Sequence, residues 1–171
     1  MKISAYVTNL GLYNEGYLCG EWVTFPIDED EERELMDRIK IDEFHEEYFI
    51  TDYETDISGL EIGEYTSIAS LNEMAEALED LSDYDAEIVE ALIGNGYDLE
   101  DAISRKDDCM VYSDCYSMAD VAEQYAEETG LLDSIPENLR FYFDFEAFGR
   151  DMSFEGEFIF TSSGNCIEVL R

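Results

Sequence analysis

Apolar, aromatic and β-branched positions interspersed with polar ones make residues 3–10 (ISAYVTNL) and 19–25 (CGEWVTF) strand candidates, with the turn-rich stretch GLYNEGYL between them. Two short strand candidates on either side of such a turn predict a β-hairpin. After Pro26 the pattern changes. In IDEDEERELMDRI the apolar positions Leu35, Met36 and Ile39 fit one helical face, and Asp28 followed three residues later by Glu31 is a capping-box signal. EEYFITDYE, residues 46–54, reads as a returning strand, so residues 1–61 are expected to form a small sheet carrying a helix. Its alternation is imperfect: Glu46, Asp52, Glu54 and Asp56 share one parity with Tyr48 and Ile50, which leaves Phe49 and Tyr53 as the expected anchors.

Residues 62–104 read as a small helical domain. Ser70 with Glu73 precedes Leu71, Met74, Ala75 and Leu78, and Ser82 with Asp85 precedes Ile88, Val89 and Leu92. GNGYDLEDAI adds a turn and a third helix capped by Asp98. In residues 105–171, CMVYSD is a strand candidate, and Ser117 with Asp120 opens a helix carrying Met118, Val121, Ala122 and Tyr125 that ends at Gly130. Ser134, Pro136 and Glu137 open another. FYFDFEAF fits both periods, because Phe141, Phe143 and Phe145 alternate while Phe141, Phe145 and Phe148 keep helical spacing. EFIF and CIEV around TSSGN form an expected hairpin. The fold class is therefore α+β, an elongated three-domain chain with small mixed end domains (1–61 and 105–171) around a helical centre.

Charge changes this picture. The chain has 44 acidic and 9 basic residues, a net charge of -35, where about 2 to 8 charges suffice to keep a small domain soluble. Between Ile41 and Ser104 there is no Lys or Arg at all. Self-repulsion on that scale destabilises a compact state, so the excess is read as functional. Direct binding to nucleic acid or to an anionic membrane is excluded, since both require a positive footprint. No apolar run reaches transmembrane length and MKISAYVTNL lacks a secretory pattern, so a cytoplasmic location is expected. Cys19, Cys109, Cys115 and Cys166 are sparse and read as reduced thiols.

The carboxylates are also ordered. Glu73, Glu76 and Asp80, then Asp83, Glu87 and Glu90, then Asp120, Glu123 and Glu127 repeat at spacings of three and four, which on a helix makes three rows of like charge. Glu29 with Arg33 and Glu34 with Arg38 have the favourable i,i+4 order, so that acidic stretch counts as paired. Thirty-five net charges equal the charge on roughly 60 Å of duplex DNA. The rows, with Glu46, Asp52, Glu54 and Asp56, are the candidate surface of a decoy for a DNA-binding protein.

Small-site chemistry does not emerge. Forty-four carboxylates single out no catalytic pair, and His45, the one histidine, lies outside any HExxH pattern. DYETDISG has acids at positions one, three and five of a calcium loop but Ile57 and Gly63 where Gly and Glu are required. Cys109 and Cys115 are not spaced as a zinc pair, and GNG is a turn without phosphate-loop spacing. No catalytic residue, cofactor or metal is assigned. Trp22 is read as a core or interface aromatic. Phe141, Tyr142, Phe143, Phe145 and Phe148 form the densest aromatic patch, either a local core or a core continuing into a subunit contact.

Extended signatures then connect the chain to a known family. YVTNLGLYNEGYLCGEWVTFPID, DEFHEEYFITDYE, EYTSIASLNEMAEAL and above all SDCYSMADVAEQYAEETGLLDSIPENLRFYFDFEAFGRDMSFEGEF resemble the ArdA antirestriction proteins, acidic DNA mimics of plasmids and conjugative transposons. The resemblance implies an elongated, curved homodimer with three small domains per chain. It implies occupation of the DNA groove of Type I restriction-modification enzymes, blocking restriction and, in expectation, modification, without metal or covalent chemistry. It also implies that residues 131–152 bear on antirestriction and assembly.

Overall fold

The computed structural model describes residues 1–170. They form two compact units, one ending at Ala86 and the other beginning at Glu87. In the first unit the expected hairpin is present: β1 (Ile3–Asn9) leads through a short helix, α1 (Leu10–Asn14), to its antiparallel partner β2 (Gly20–Phe25). α2 (Glu29–Arg38) starts at the predicted capping box, with Asp28 accepting the Asp30 and Glu31 N–H groups and Glu31 returning to the Asp28 N–H. β3 (Tyr48–Thr55) pairs with the other side of β1, giving the order β2-β1-β3. Ile3, Ala5 and Val7 are fully buried on one sheet face, and Leu35 of α2 and Ile39, which caps that helix, are buried as well.

One buried polar residue joins these elements. Asn9 accepts the Leu12 N–H at 2.9 Å and donates to the Ile39 and Lys40 carbonyls at 3.1 and 2.9 Å. A single side chain thus caps the start of α1 and satisfies carbonyls left over beyond α2.

β3 carries an irregularity that explains its mixed alternation. Tyr6 pairs with Asp52 and Val7 with Ile50, which leaves Thr51 as the extra residue of a β-bulge. The faces exchange at that point. Ile50 lies with Val7 on the core face, whereas Asp52 and Glu54, of the same sequence parity, lie with Tyr6 and Ser4 on the outer face. Tyr53 is half-buried opposite Ala5 on the core face, and Phe49 is buried on the other face, where its ring meets Tyr13 edge-on at 5.1 Å, so the two expected anchors hold opposite faces of the strand. Trp22 is on the outer face too, 43% exposed and T-shaped against Tyr6, so it is not a core residue.

The central helices are α3 (Ile68–Glu79), α4 (Asp83–Gly94) and α5 (Leu99–Arg105). α3 begins a turn earlier than expected: its cap is Ser67, which accepts the Ser70 N–H, so the Ser70 and Glu73 pair lies inside the helix. Asn72 of α3 accepts the Ile27 N–H at 2.8 Å and donates to the Ile27 carbonyl at 2.9 Å, fixing the helix to the segment after β2. Ser82 and Asp98 open α4 and α5 as predicted.

In the second unit β4 (Cys109–Tyr112), β5 (Glu157–Phe160) and β6 (Cys166–Val169) form an antiparallel sheet in the order β4-β6-β5. α6 (Met118–Thr129) is capped by Ser117 and ends at Gly130, whose φ of 64° is the left-handed conformation glycine favours. α7 (Glu137–Arg140) is a single turn, and α8 (Phe145–Glu155) resolves the ambiguous FYFDFEAF stretch as helix from Phe145 onward, capped by Asp144. α6 and α8 pack so closely that a Cβ on Gly149 would collide with the Met118 carbonyl. Tyr112, Cys115, Val121 and Cys166 form a core beneath the sheet, where burial pushes the Cys166 thiol up to about 12. Mixed α/β segments therefore flank a central run of helices in an α+β arrangement. No helix among the described residues is long and apolar enough to cross a membrane.

Candidate target-binding surface

The three helical rows differ once their neighbours are seen. On α3, Ile68, Leu71, Ala75 and Leu78 are buried, which turns Glu73 and Glu76 outward. Asp80, the C-terminal cap, is exposed as well. None of these three carboxylates accepts a side-chain hydrogen bond or ion pair from another described residue, so all three present bare charge. Asp80 stands at the negative end of the helix dipole, which adds to the repulsion.

On α4 Asp83 is exposed, but Glu87 and Glu90 are half-buried. Glu87 accepts from Asn165 Nδ2 at 2.8 Å, from the Ser163 hydroxyl and from Thr161 Oγ1 at 3.4 Å. It holds the TSSGN turn between β5 and β6. Glu157 plays the same part from the other direction, accepting from Asn95 and from the Tyr97 hydroxyl, both at 2.8 Å.

α6 divides similarly. Glu123 and Glu127 are exposed, whereas half-buried Asp120 accepts from the Ser117 hydroxyl at 2.9 Å and the Tyr116 N–H at 3.0 Å. Those bonds, the Ser117 one foremost, hold its carboxyl below the usual carboxylate range.

In the first unit Glu46 is exposed ahead of β3, and Asp52 and Glu54 stand past the bulge on the outer face. Asp56 accepts the Lys2 N–H at 2.7 Å. Asp52, Glu54 and Asp56 are therefore strung along a strand and its end and not wrapped around a point; among the described residues no three His, Cys, Asp or Glu side chains are grouped to hold a metal ion.

The basic residues meet few of these acids. On α2 Arg38 bonds Glu21 at 2.8 Å and Glu34 at 3.3 Å, and Arg33 pairs with Asp30 at i,i+3 in place of the expected Glu29. Such exposed pairs contribute little stability but do cancel local charge. His45 is half-buried between Glu15 and Asp42, at 3.2 and 3.3 Å, and the Glu15 bond is the main cause raising its pKa above the ordinary value.

The aromatic patch splits into two parts. Phe143 lies 5.0 Å from Phe145 and 5.6 Å from Phe148, which in turn approaches Tyr125 of α6 at 6.2 Å, so these rings form a local core. Phe141 and Tyr142 do not join it: they are 90% and 78% exposed. Phe154 and Leu139 are exposed in the same unit.

Comparison with curated proteins gives no match to this chain. The family model described as Antirestriction protein (ArdA) matches residues 5–166, which takes in all the helices and every acidic and aromatic residue considered above. The chain belongs to the ArdA antirestriction family.

Proposed function

We propose that the exposed carboxylates, led by the bare row of Glu73, Glu76 and Asp80 and joined by Glu46, Asp52, Glu54, Asp83, Glu123 and Glu127, stand in for DNA phosphates when this protein meets its target. The protein is an antirestriction protein, a non-catalytic DNA mimic that inhibits Type I restriction-modification enzymes, in the bacterial and mobile-element setting of its family. In our reading it occupies the enzyme's DNA groove from the cytoplasm, with segments 1–61, 62–104 and 105–171 acting as three domains that each present part of the surface. Glu87, Glu90, Asp120 and Asp56 serve the fold more than the target.

The observation that carries this reading is the α3 row: three neighbouring charges at helical spacing, outward-facing and unpaired, which cost stability and do nothing for the fold. Distributed negative charge attracts a basic DNA channel at long range, and shape then selects the complex. Assembly follows from the other exposed feature. Phe141 and Tyr142, supported by the Phe143, Phe145 and Phe148 core, are read as contacts of a homodimer.

The test is a competition. Purified protein is titrated into a Type I enzyme bound to labelled cognate duplex, and displacement of the duplex with loss of cleavage is the expected result. Duplex that stays bound at every concentration of folded protein would overturn groove occupation. Sedimentation of the Phe141→Ala, Tyr142→Ala protein tests assembly, with a monomer expected.

A further inference from the structure

We propose that a groove in the first unit, between α1 and the loop of residues 42–47, takes arginine side chains presented by a basic protein partner. The inference rests on the reading that this chain binds a basic protein surface. It adds that recognition here is of the guanidinium group and not of positive charge in general.

Two adjoining hollows of about 360 and 320 Å³ share Leu10, Glu46 and Glu47 in their walls. Phe44 and Glu43 complete the first, and Tyr65 the second. Phe44 is 80% exposed and Tyr65 75% exposed. Neither ring is needed for the core, and both are large apolar surfaces left in water. Between them stand the exposed carboxylates of Glu43, Glu46 and Glu47, whose side chains make no hydrogen bond or ion pair with any described residue. The one ionisable cationic neighbour, His45, is already engaged by Glu15 and Asp42.

The groove is held in shape without a ligand. The Asp42 carboxylate accepts the Phe44 and His45 N–H groups at 2.8 and 2.9 Å, which fixes the loop. The Leu10 N–H donates to the Glu47 carbonyl at 2.9 Å, and the Ile68 N–H donates to the Tyr48 hydroxyl at 3.0 Å, which fixes the two walls. Gly11 lets α1 lie against the loop, since a Cβ there would collide with the His45 ring. A preformed site spends little binding free energy on ordering itself.

Charge and chemistry choose the occupant. Three free carboxylates repel any anion, and the open, acid-rimmed walls offer no enclosed apolar volume. A cation is selected. Between the two cationic side chains, guanidinium is planar and weakly hydrated, so it stacks on an aromatic face while its edge donates to carboxylates; an ammonium gains the charge and little of the stacking. The α3 row lines neither hollow, and so is expected to accept lysine and arginine alike.

The experiment uses the whole protein and two probes, a glycine-spaced arginine peptide and its lysine counterpart, followed by NMR of the aromatic ring protons. The arginine peptide is expected to shift the Phe44 and Tyr65 resonances and to bind about two- to fivefold tighter than the lysine peptide. Phe44→Ala, an exposed change that leaves the core alone, should abolish that preference. Glu46→Gln with Glu47→Gln should weaken both peptides, and Glu73→Gln with Glu76→Gln should keep the preference intact. Equal binding of the two peptides, or a preference that survives Phe44→Ala, would overturn the groove as an arginine site while leaving enzyme inhibition untouched. Failure of the unaltered protein to inhibit a Type I enzyme would strike the functional reading instead and leave the peptide result standing.

Discussion

Helices α3 and α4 carry carboxylates at the same spacing, and a helical-wheel projection would treat the two rows as equivalent. Their surroundings separate them. Glu73, Glu76 and Asp80 face water with nothing to neutralise them, while Glu87 is half-buried under three donors from the turn after β5. A carboxylate supplied with donors ties two parts of the fold together; one left without them contributes only a field. An acidic protein therefore contains two populations of acid, and net charge counts both alike.

The sharpest way to break that distinction is to remove Glu87. Glu87→Ala leaves the Asn165 amide without its acceptor and takes one of two partners from the Ser163 hydroxyl, and is expected to lower stability by about 1–3 kcal/mol in urea denaturation. An unchanged midpoint would place Glu87 with the bare acids. Ser117→Ala is next. It removes the cap of α6 and the main partner of Asp120, with an expected loss of about 0.5–2 kcal/mol.

Neutralising the α3 row should move stability the other way. Glu73→Gln, Glu76→Gln and Asp80→Asn together remove two adjacent like-charged pairs, each costing roughly 0.2–0.5 kcal/mol, so the urea midpoint should hold or rise slightly. Inhibition of a Type I enzyme should nonetheless weaken by roughly threefold or more, taking ~0.2 kcal/mol or more for each exposed ion pair lost. Its dependence on salt should flatten as well. Equal inhibition by the triple variant would place α3 outside the contact.

The smallest effects are expected in pH dependence. His45 has a raised pKa in the folded chain, so its pairing stabilises fully below the unfolded value near 6.5 and fades as pH rises through the folded value. Asp120 has a depressed one, so its contribution is present above the unfolded value near 3.8 and is lost as pH falls through the folded value. Urea midpoints of His45→Gln and Asp120→Asn across pH should lack the corresponding slopes.

Local signals were readable and distant ones were not. The Asp28–Glu31 box, the Ser82, Asp98 and Ser117 caps and the glycine stop at Gly130 depend on neighbours within one turn, and each stands where the pattern places it. Ser70 with Glu73 imitated the same signal because Ser67, three residues earlier, is equally a serine before apolar periodicity; burial of Ile68 decides between them. Glu87 gave no warning, since its partners are more than 70 residues away. Exposure of Phe141 and Tyr142 beside the packed Phe143 was likewise hidden, because five aromatic residues in one short stretch read as a single cluster until α7 and α8 separate them.

The bulge at Thr51 acts on β3 as a half-period phase shift. Upstream of it Ile50 faces the interior, and downstream the residues of the same parity face solvent, so one strand supplies Ile50 to the core and Asp52 and Glu54 to the acidic exterior while staying paired with β1 on both sides of the bulge. A sequence under pressure to gain surface charge would otherwise have to rebuild its alternation residue by residue. The bulge reassigns everything beyond it at once: the same residues in unbroken alternation would carry Asp52 and Glu54 inward together, whereas deleting Thr51 would remove the bulge and leave Ile50 opposite Val7 and Asp52 opposite Tyr6.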